Sequence, residues 1–284
     1  MMNISFNSDD EDNPIHVALK KFLIDSQIQD LKEEGKFEEA EQLALKKADL
    51  DLSAIEKKQL ASGSNDENYT PDTLPEQCVS TTFDRYAEDF DQHLTKQLNY
   101  AVPEIILEKI SKFTDARFNR LLDLGCGTGL CAEAIGDRVM HKTGVDLSEG
   151  MLIQADQKEL YDDLYLKDLN EFLQVDWDDR WDLIISGDTL VYLGALEDAV
   201  AGLAKNIEPN GKVIFTTETA ADEAFTEKPY VMGSRGRFAH SALYLRELLE
   251  ASGFTLIEIE EVTPRFENGE PVQGLVVVAE YKGV

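Results

Sequence analysis

The chain has 284 residues, of which 43% are apolar, so it is long enough to bury a core of ordinary size and is not disordered throughout. Lys and Arg number 27 against 56 Asp and Glu, which gives a formal net charge of −29 at pH 7. A surface this negative repels phosphate backbones and anionic lipid headgroups, so we expect neither nucleic acid nor membrane as a partner.

The cysteines and the N-terminal stretch predict a cytoplasmic location. Cys78, Cys126 and Cys131 form an odd set without metal-ligand spacing, and a chain of this size does not depend on disulfides. Residues 1–14 lack the basic and apolar segments that direct export, and no later apolar run approaches the roughly 20 residues of a spanning helix. We therefore expect a protein of the reducing cytosol with no metal site.

Residues 1–61 are predicted to form a small helical segment. Apolar side chains recur at helical spacing from Ile15 onward, and Gly35 separates two such stretches. Helix, tight turn and helix is the layout of one tetratricopeptide unit, although a solvated helical hairpin fits the pattern equally well. One unit cannot bury its own apolar face, so we expect these helices to pack on the neighbouring domain, on a second copy in a homodimer or on a protein partner.

Residues 62–80 mix Ser, Asn, Asp and Pro without apolar periodicity, which predicts a linker before the main domain at 81–284. Seven strands are predicted in that domain: 120–126, 141–147, 164–168, 181–187, 212–218, 255–262 and 272–281. The first five are separated by stretches able to hold crossover helices, as a parallel sheet requires. The last two are joined by a short turn and should pair antiparallel, which predicts an α/β fold with a mostly parallel sheet.

A glycine-rich turn follows the first predicted strand in LLDLGCGTG, residues 121–129. Such a turn lets the backbone approach a ligand and points free N–H groups at it. The dinucleotide fingerprint requires glycine where Leu130 stands, so nicotinamide binding is disfavoured. Asp146 stands 21 residues after Gly125 at the end of the second strand, where an acid accepts hydrogen bonds from both ribose hydroxyls. A ribose-containing ligand is implied.

The motifs LLDLGCGTG, GVDLSEGML and WDLIISGDTLVYLG, in this order and spacing, resemble the class I S-adenosylmethionine-dependent methyltransferases. The resemblance runs from about residue 83 to the C-terminus. Residues 83–103 and 236–254 look, more narrowly, like the methyltransferases that carry an N-terminal tetratricopeptide unit. The resemblance implies a Rossmann-like, seven-stranded, mostly parallel sheet with the last strand antiparallel, and an enzyme that uses S-adenosyl-L-methionine as cofactor.

The resemblance places the cofactor at the carboxyl ends of the first strands. It assigns the backbone around Asp123, Gly125 and Gly127 to the methionine half. Asp146 would bind the ribose, and Tyr86, in a lid helix before the first strand, would cover the methionine end. Ordinary packing would also explain a tyrosine on this helix face.

A second group of predicted residues surrounds the adenine end. Leu147 and Met151 closely follow Asp146 and suit an adenine face, although either also fits the core. The resemblance places Asp168 against the adenine amino group, where a surface position would explain the residue equally. The full predicted cofactor set is Tyr86, Asp123, Gly125, Cys126, Gly127, Asp146, Leu147, Met151, Asp168, Leu169 and Ser186.

The predicted catalytic residues lie near the ends of the fourth and fifth strands. Asp188 can hold the cofactor, position the substrate or cap the next helix. Residues 228–240 contain Arg235, Arg237 and His240 but no carboxylate. An arginine there could orient a carboxylate acceptor, or simply pair with surface acids. A hydroxyl or amine acceptor would need a general base, for which His240 is the leading candidate and Asp188 the reserve.

We expect methyl transfer to a small-molecule acceptor, and the arginines allow that acceptor to be anionic. Two alternatives stay open. The chain could methylate a protein that docks on the N-terminal helices, or it could be a binding module that holds the cofactor without transfer.

Overall fold

The computed structural model describes residues 99–113, 117–233, 237–267 and 269–283, together with residues 73, 76, 79, 80, 83, 84, 87 and 91. The predicted helical segment 1–61 and most of the predicted linker lie outside the described residues, as do Tyr86 and Arg235. The tetratricopeptide unit, the domain boundaries and the roles of these side chains therefore stay predictions.

Helices and strands alternate along the described chain. The main helices are α1 (Val102–Ser111), α2 (Leu130–Ile135), α3 (Glu149–Gln157), α4 (Leu169–Gln174), α5 (Glu197–Asn206) and α6 (Ala242–Ala251). The longer strands are β1 (Phe118–Leu124), β2 (Val139–Asp146), β3 (Asp163–Leu166), β4 (Trp181–Ser186) and β5 (Ile207–Glu218), followed later in the chain by β8 (Phe254–Val262) and β11 (Gly274–Tyr281). The shorter strands are β6 (Tyr230–Met232), β7 (Phe238–His240), β9 (Phe266–Glu267) and β10 (Glu270–Pro271).

The main sheet has the strand order β3-β2-β1-β4-β5-β11-β8. Strands β1 to β5 pair in parallel, and β11 lies antiparallel between β5 and β8. The predicted seven strands and the antiparallel final pair are confirmed. The sequence reading missed β6 and β7, which extend the sheet at the end of β5, and the β9–β10 hairpin. Each of these strands has only two or three residues, too few to show an alternating pattern.

Both faces of the sheet are buried, as expected for parallel strands joined by crossover helices. One apolar cluster packs α4, α5 and α6 against one face, and the other packs α1 and α2 against the opposite face. Neighbouring residues of β1 divide between them, since Leu122 belongs to the first cluster and Leu121 to the second. No helix among the described residues is both long enough and apolar enough to cross a bilayer.

The fold defines one crevice at the carboxyl ends of the strands. β1 has β2 on one side and β4 on the other, so successive connections leave β1 in opposite directions along the sheet. In open α/β sheets, ligands bind at this point of reversal. The glycine-rich turn leaves β1 there.

Candidate active site

The glycine loop bends tightly around the end of β2. Gly125, Gly127 and Gly129 all have positive φ, at +69°, +54° and +90°, a region that residues with a Cβ rarely adopt. The N–H groups of Gly125 and Cys126 both donate to the carbonyl of Val145, over 2.8 and 3.0 Å. The loop is thereby fastened to β2 and its glycines are required by the backbone.

Asp146 joins the end of β2 to the glycine loop. Its Oδ2 accepts the N–H of Gly127 at 2.8 Å, and its Oδ1 accepts the N–H of Ser148 at 2.9 Å. Burial raises the pKa of Asp146, and these two N–H groups partly oppose that rise. Each carboxylate oxygen can accept a second hydrogen bond, so Asp146 keeps acceptor capacity for a ligand.

Asp123 lies under the loop, near the end of β1. It is only 1% exposed, and its Oδ2 accepts the hydroxyl of Tyr161 at 2.7 Å. Burial, helped by repulsion from Asp146, raises the pKa of Asp123 to about 7, and the Tyr161 hydrogen bond opposes this rise. The crevice therefore holds one buried and one partly buried carboxylate, and among the described residues the hydrogen-bond donors to both are uncharged.

Residues before α1 contact the crevice from above. Asp84 accepts from the hydroxyl of Ser148 at 2.6 Å and from the N–H of Gly150 at 3.1 Å. Asp91 accepts from the Thr128 hydroxyl and from Lys158, and the ring of Phe83 meets Tyr192 edge-on at 5.6 Å. We call Phe83, Asp84 and Asp91 the cover residues, because they link the glycine loop, α3 and the segment after β4. The predicted lid residue Tyr86 lies among them in sequence but outside the described part.

Three of the predicted cofactor residues, Asp168, Leu169 and Ser186, have clear structural roles. Asp168 is the N-cap of α4, since its Oδ1 accepts the N–H groups of Asn170 and Glu171 at 2.8 and 3.1 Å. Ser186 donates to the carbonyl of Leu124 at 3.0 Å and, with Leu169, lines a small apolar cavity between the sheet and the helices. Such contacts explain these positions without a ligand.

Three further predicted residues differ in exposure. Met151 is 1% exposed, which favours the core interpretation over an adenine face, whereas Leu147 is partly exposed at the end of β2. Cys126 is buried within the loop, and burial raises the pKa of its thiol, so the thiol stays protonated. Cys126 therefore acts as a small residue of a tight turn.

The ends of β4 and β5 carry a different arrangement, centred on Arg265. Its Nη1 donates to both oxygens of Asp188, at 2.5 and 2.7 Å, its Nη2 to Glu218 and its Nε to Glu267 at 2.8 Å. Arg265 is 3% exposed. Burial alone would lower the pKa of the guanidinium, but attraction to Asp188 and Glu218 outweighs it and the net shift is upward. Arg265 is thus permanently charged. We use the name arginine cluster for Arg265, Arg237 and the three carboxylates of Asp188, Glu218 and Glu267.

Asp188 is a cluster member and not a helix cap. It has a positive φ of +56°, and its N–H donates to the hydroxyl of Thr216 at 2.8 Å. The short helix that follows, Leu190–Tyr192, has no side-chain cap hydrogen bond. The capping interpretation is therefore wrong, and both oxygens of the carboxylate are engaged by Arg265.

Arg237 is also paired. Its Nη1 contacts Glu267 and lies 3.5 Å from Glu218. For the positive stretch 228–240 the sequence allowed either an arginine that orients an acceptor or arginines paired with acids. For Arg237 the structure shows pairing. The arginine cluster contains three carboxylates against two guanidiniums, so an anionic acceptor meets no surplus positive charge from these five residues.

His240 occupies a position that counts against a role as general base. It is 0% exposed, and its Nε2 lies 2.9 and 3.0 Å from the carbonyls of Leu193 and Gly194. Carbonyls only accept, so Nε2 carries the proton and Nδ1 accepts from the Thr217 hydroxyl at 2.6 Å. Burial lowers the pKa of His240 to about 4. Its one basic nitrogen is therefore already occupied, and the ring stays neutral.

A family model described as a methyltransferase domain matches residues 93–259, more than half of the chain. The chain belongs to this methyltransferase domain family. The match includes the glycine loop, Asp146, Asp188 and His240, and it ends within β8, before Arg265.

Curated relatives include enzymes with different acceptors. The malonyl-[acyl-carrier protein] O-methyltransferase of Enterobacter lignolyticus (strain SCF1) is 28% identical over 191 residues, which cover 60% of this chain and 73% of that protein. The enzyme of the same name from Salmonella typhimurium is 31% identical over 141 residues, 50% of this chain and 53% of that protein. Phosphoethanolamine N-methyltransferase 2 of Caenorhabditis elegans is 27% identical over 57% of this chain and 38% of that protein. The chain thus spans about half or less of the last two relatives.

Solved structures share the fold of this methyltransferase domain. Magnesium protoporphyrin IX methyltransferase from Synechocystis PCC 6803, with bound S-adenosylmethionine, has a TM-score of 0.56 at 16% identity over 75% of this chain and 100% of that chain. The [4+2]-cyclase SpnF has a TM-score of 0.61 at 15% identity over 76% and 100%. At such identities the likeness shows the fold alone.

Sequence reasoning missed several residues that the structure brings to the crevice of this methyltransferase domain. Arg265 lies in the turn-rich link between the last two long strands, and Tyr161 lies in the loop before β3. Asp84 and Asp91 were passed over in the predicted lid helix, where Tyr86 was the candidate. Their spacing of seven was the available signal, since a continuous helix would place both acids on one face; in the structure residue 87, between them, lies in a turn.

Proposed function

We propose that the chain transfers the methyl group of S-adenosylmethionine to a small-molecule acceptor. The observation that carries this proposal is the hydrogen bond from the N–H of Gly127 to Asp146. It joins the carboxylate at the end of β2 to the loop at the end of β1, at the point where the strand order reverses. Family membership supports the reaction class. The glycine loop and its hydrogen bond to Asp146 support the choice of cofactor.

The residues present fit this cofactor. Both oxygens of Asp146 keep acceptor capacity for ribose hydroxyls. A Cβ on Gly125 would lie 2.1 Å from the Thr189 hydroxyl oxygen, so only glycine lets the loop pack this closely against the segment after β4. When bound, the cofactor supplies a methyl carbon already activated by its sulfonium group, so the protein needs no covalent intermediate. In this proposal Asp146 and the glycine loop bind and orient, while the cover residues exclude water.

The acceptor would lie beside the arginine cluster, at the ends of β4 and β5. Asp188 and Glu218 are each 18% exposed there, and Tyr192 lies close to both Arg237 and Asp188. Since Arg265 engages both oxygens of Asp188, we assign Asp188 to positioning and not to proton transfer. The relatives named above include one enzyme class named for oxygen methylation and one for nitrogen methylation, so either acceptor atom is compatible with the family.

Methyl transfer from radiolabelled cofactor into fractions of a cell extract tests the proposal. We expect label in the small-molecule fraction, and expect Asp146→Ala to abolish most of it. Asp156→Ala, an exposed acid of α3, is the matched control and should label as the wild type does. Label in the protein fraction would support the docking alternative instead. Label in neither fraction, with calorimetric binding of the cofactor retained, would support a binding module.

A further inference from the structure

The turn after β4 packs directly against the glycine loop. It consists of Gly187, Asp188 and Thr189, and it links β4 to the short helix Leu190–Tyr192. A Cβ built on Gly125 would overlap both the hydroxyl and the methyl group of Thr189, so these two residues fit together without spare room. The Thr189 hydroxyl lies 3.3 Å from the carbonyl oxygen of Gly125 and 3.1 Å from that of Gly187. The position of Thr189 therefore limits the shape that the glycine loop can take.

Asp188 gives this turn an unusual backbone conformation. Its φ of +56° lies in the left-handed region, which is unfavourable for a residue with a Cβ and persists where the surroundings impose it. Three contacts hold it there: its N–H donates to the Thr216 hydroxyl, and both of its carboxylate oxygens accept from Nη1 of Arg265. If Asp188 relaxed to a negative φ, the chain would leave in another direction and Thr189 would lose its place against Gly125.

Arg265 can restrain the turn because its own segment is fixed on both sides. The carbonyl of Pro264, just before it, accepts from the N–H of Ala101 at the start of α1, at 2.9 Å. The carbonyl of Arg265 itself accepts from the N–H of Val272 at 3.0 Å. The side chain is 3% exposed. The family match ends at residue 259, so this support comes from a part of the chain that the family model does not include.

Resting on the proposed function, we propose that Arg265 is a positioning residue for the cofactor: by holding Asp188 in the left-handed conformation, it keeps Thr189 against Gly125 and the glycine loop in the shape that binds. The Asp188 carboxylate serves Arg265 as a point of attachment. What matters for binding at position 188 is therefore the φ angle of the backbone, and the charge matters only because it engages the arginine.

Two substitutions at position 188 separate backbone conformation from charge. Calorimetry of the full chain with S-adenosylhomocysteine, the demethylated product of the cofactor, measures the affinity of each. Asp188→Ala and Asp188→Gly both remove the carboxylate, but only glycine adopts a positive φ without cost. We expect Asp188→Ala to weaken binding about tenfold and Asp188→Gly to stay within about threefold of the wild type. Equal losses in the two variants would mean that the carboxylate acts directly, and the proposal would be wrong.

At position 265 the conservative change is the informative one. Arg265→Lys keeps the charge but loses the fork of donors, so we expect binding about tenfold weaker than in the wild type. In the Asp188→Gly background the same change should cost about twofold or less, because glycine does not depend on the arginine for its φ. A tenfold loss in both backgrounds would overturn the proposal. The matched control is Arg120→Lys near the start of β1, where Arg120 pairs with Asp179 at 3.2 Å, and it should bind as the wild type does.

The remaining outcomes also decide. Urea denaturation identifies the variants that are folded under the assay conditions, and Arg265→Lys with a lower denaturation midpoint but wild-type affinity would show a merely structural role. If Arg265→Lys does not fold, the pair at position 188 decides.

If Asp188→Ala does not fold either, Thr189→Ala takes its place. Removing the side chain that packs on Gly125 should weaken binding about fivefold, and unchanged affinity would break the chain of contacts on which the proposal depends. If the folded wild type binds no S-adenosylhomocysteine, the proposed function itself fails, and the inference falls with it.

Discussion

Two groups of carboxylates, buried or partly buried, lie along the same edge of the sheet, and they are stabilised in opposite ways. Within the described part of the chain, Asp123 and Asp146, beside the glycine loop, receive hydrogen bonds from uncharged backbone and phenol donors and from no cation. Asp188 and Glu218, at the ends of β4 and β5, share the guanidinium of Arg265. Uncharged donors leave a carboxylate ready for hydroxyls or a cation, whereas a guanidinium already satisfies it. We call the side with Asp123, Asp146 and the glycine loop, which we propose binds the ligand, the open half of this edge, and the side with Asp188, Glu218 and Arg265 the locked half.

The largest loss of stability should come from replacing Arg265 in the locked half. Arg265→Ala would leave three carboxylates around a buried vacancy, and removing one partner of a buried ion pair typically costs about 3–5 kcal/mol. Arg265→Lys should lose less, because an ammonium keeps the charge but cannot form the fork to Asp188. Urea denaturation measures both. Arg138→Ala is the control, since Arg138 is exposed and makes one long contact at 3.4 Å, and it should change stability by about 0.5 kcal/mol or less. A loss below about 1 kcal/mol in Arg265→Ala would contradict the locked interpretation.

The two halves should also respond to pH in opposite directions. His240, next to the locked half, has its pKa lowered to about 4 from an ordinary 6.5. A lowered pKa in a base stabilises the fold above pH 6.5, and that contribution is lost as pH falls towards 4, by about 3 kcal/mol. Asp123 acts with the opposite sign over the same range, so the His240 contribution shows as a difference: between pH 7 and pH 4 the wild type should lose about 3 kcal/mol relative to His240→Gln in urea denaturation. Parallel pH profiles in the two proteins would exclude a contribution from His240.

Asp123, in the open half, contributes with the opposite sign. Its pKa is raised to about 7, so its contribution to stability is complete below its unfolded pKa of about 3.9 and is lost as pH rises to 7. Asp123→Asn should remove that loss and flatten the profile on this side. The two variants together separate two opposing contributions that fall in the same pH range.

Removing a carboxylate from the open half should affect binding more than stability. Asp146→Ala is expected to weaken S-adenosylhomocysteine binding by about 1–3 kcal/mol, because a charged acceptor of hydrogen bonds is lost. Asp146→Asn should fall between this variant and the wild type, since one amide oxygen can still accept. Isothermal calorimetry measures the change, with Asp156→Ala as the exposed control on α3. Unchanged affinity in Asp146→Ala would defeat the ribose assignment.

The open half was predictable from sequence because it is built locally. A strand, a glycine turn and an acid at the next strand end fix Gly125, Gly127 and Asp146 through backbone geometry that each short segment determines itself. The seven long strands followed from the same kind of pattern. These signals need no knowledge of which distant segments meet.

The locked half was not predictable, because its partners are far apart in sequence. Arg265 lies 77 residues from Asp188 and 47 from Glu218. The stretch 228–240 contains no carboxylate of its own, so the sequence could not decide whether Arg237 is paired; Glu218 and Glu267 approach it from β5 and β9. His240 was the leading general-base candidate for the same reason: nothing in its own segment showed that Thr217 and two carbonyls would enclose it.

The smallest predicted effect decides whether the open half extends to Asp168. The structure shows Asp168 capping α4, and loss of such a cap costs about 1 kcal/mol. Asp168→Ala should lose this stability, and Asp168→Ser should restore most of it, because serine is a good N-cap. If capping is the only role, S-adenosylhomocysteine affinity stays at the wild-type value in both variants. If Asp168 also accepts the adenine amino group, the serine variant recovers its denaturation midpoint but not its affinity, since its short hydroxyl replaces the cap and not the charge.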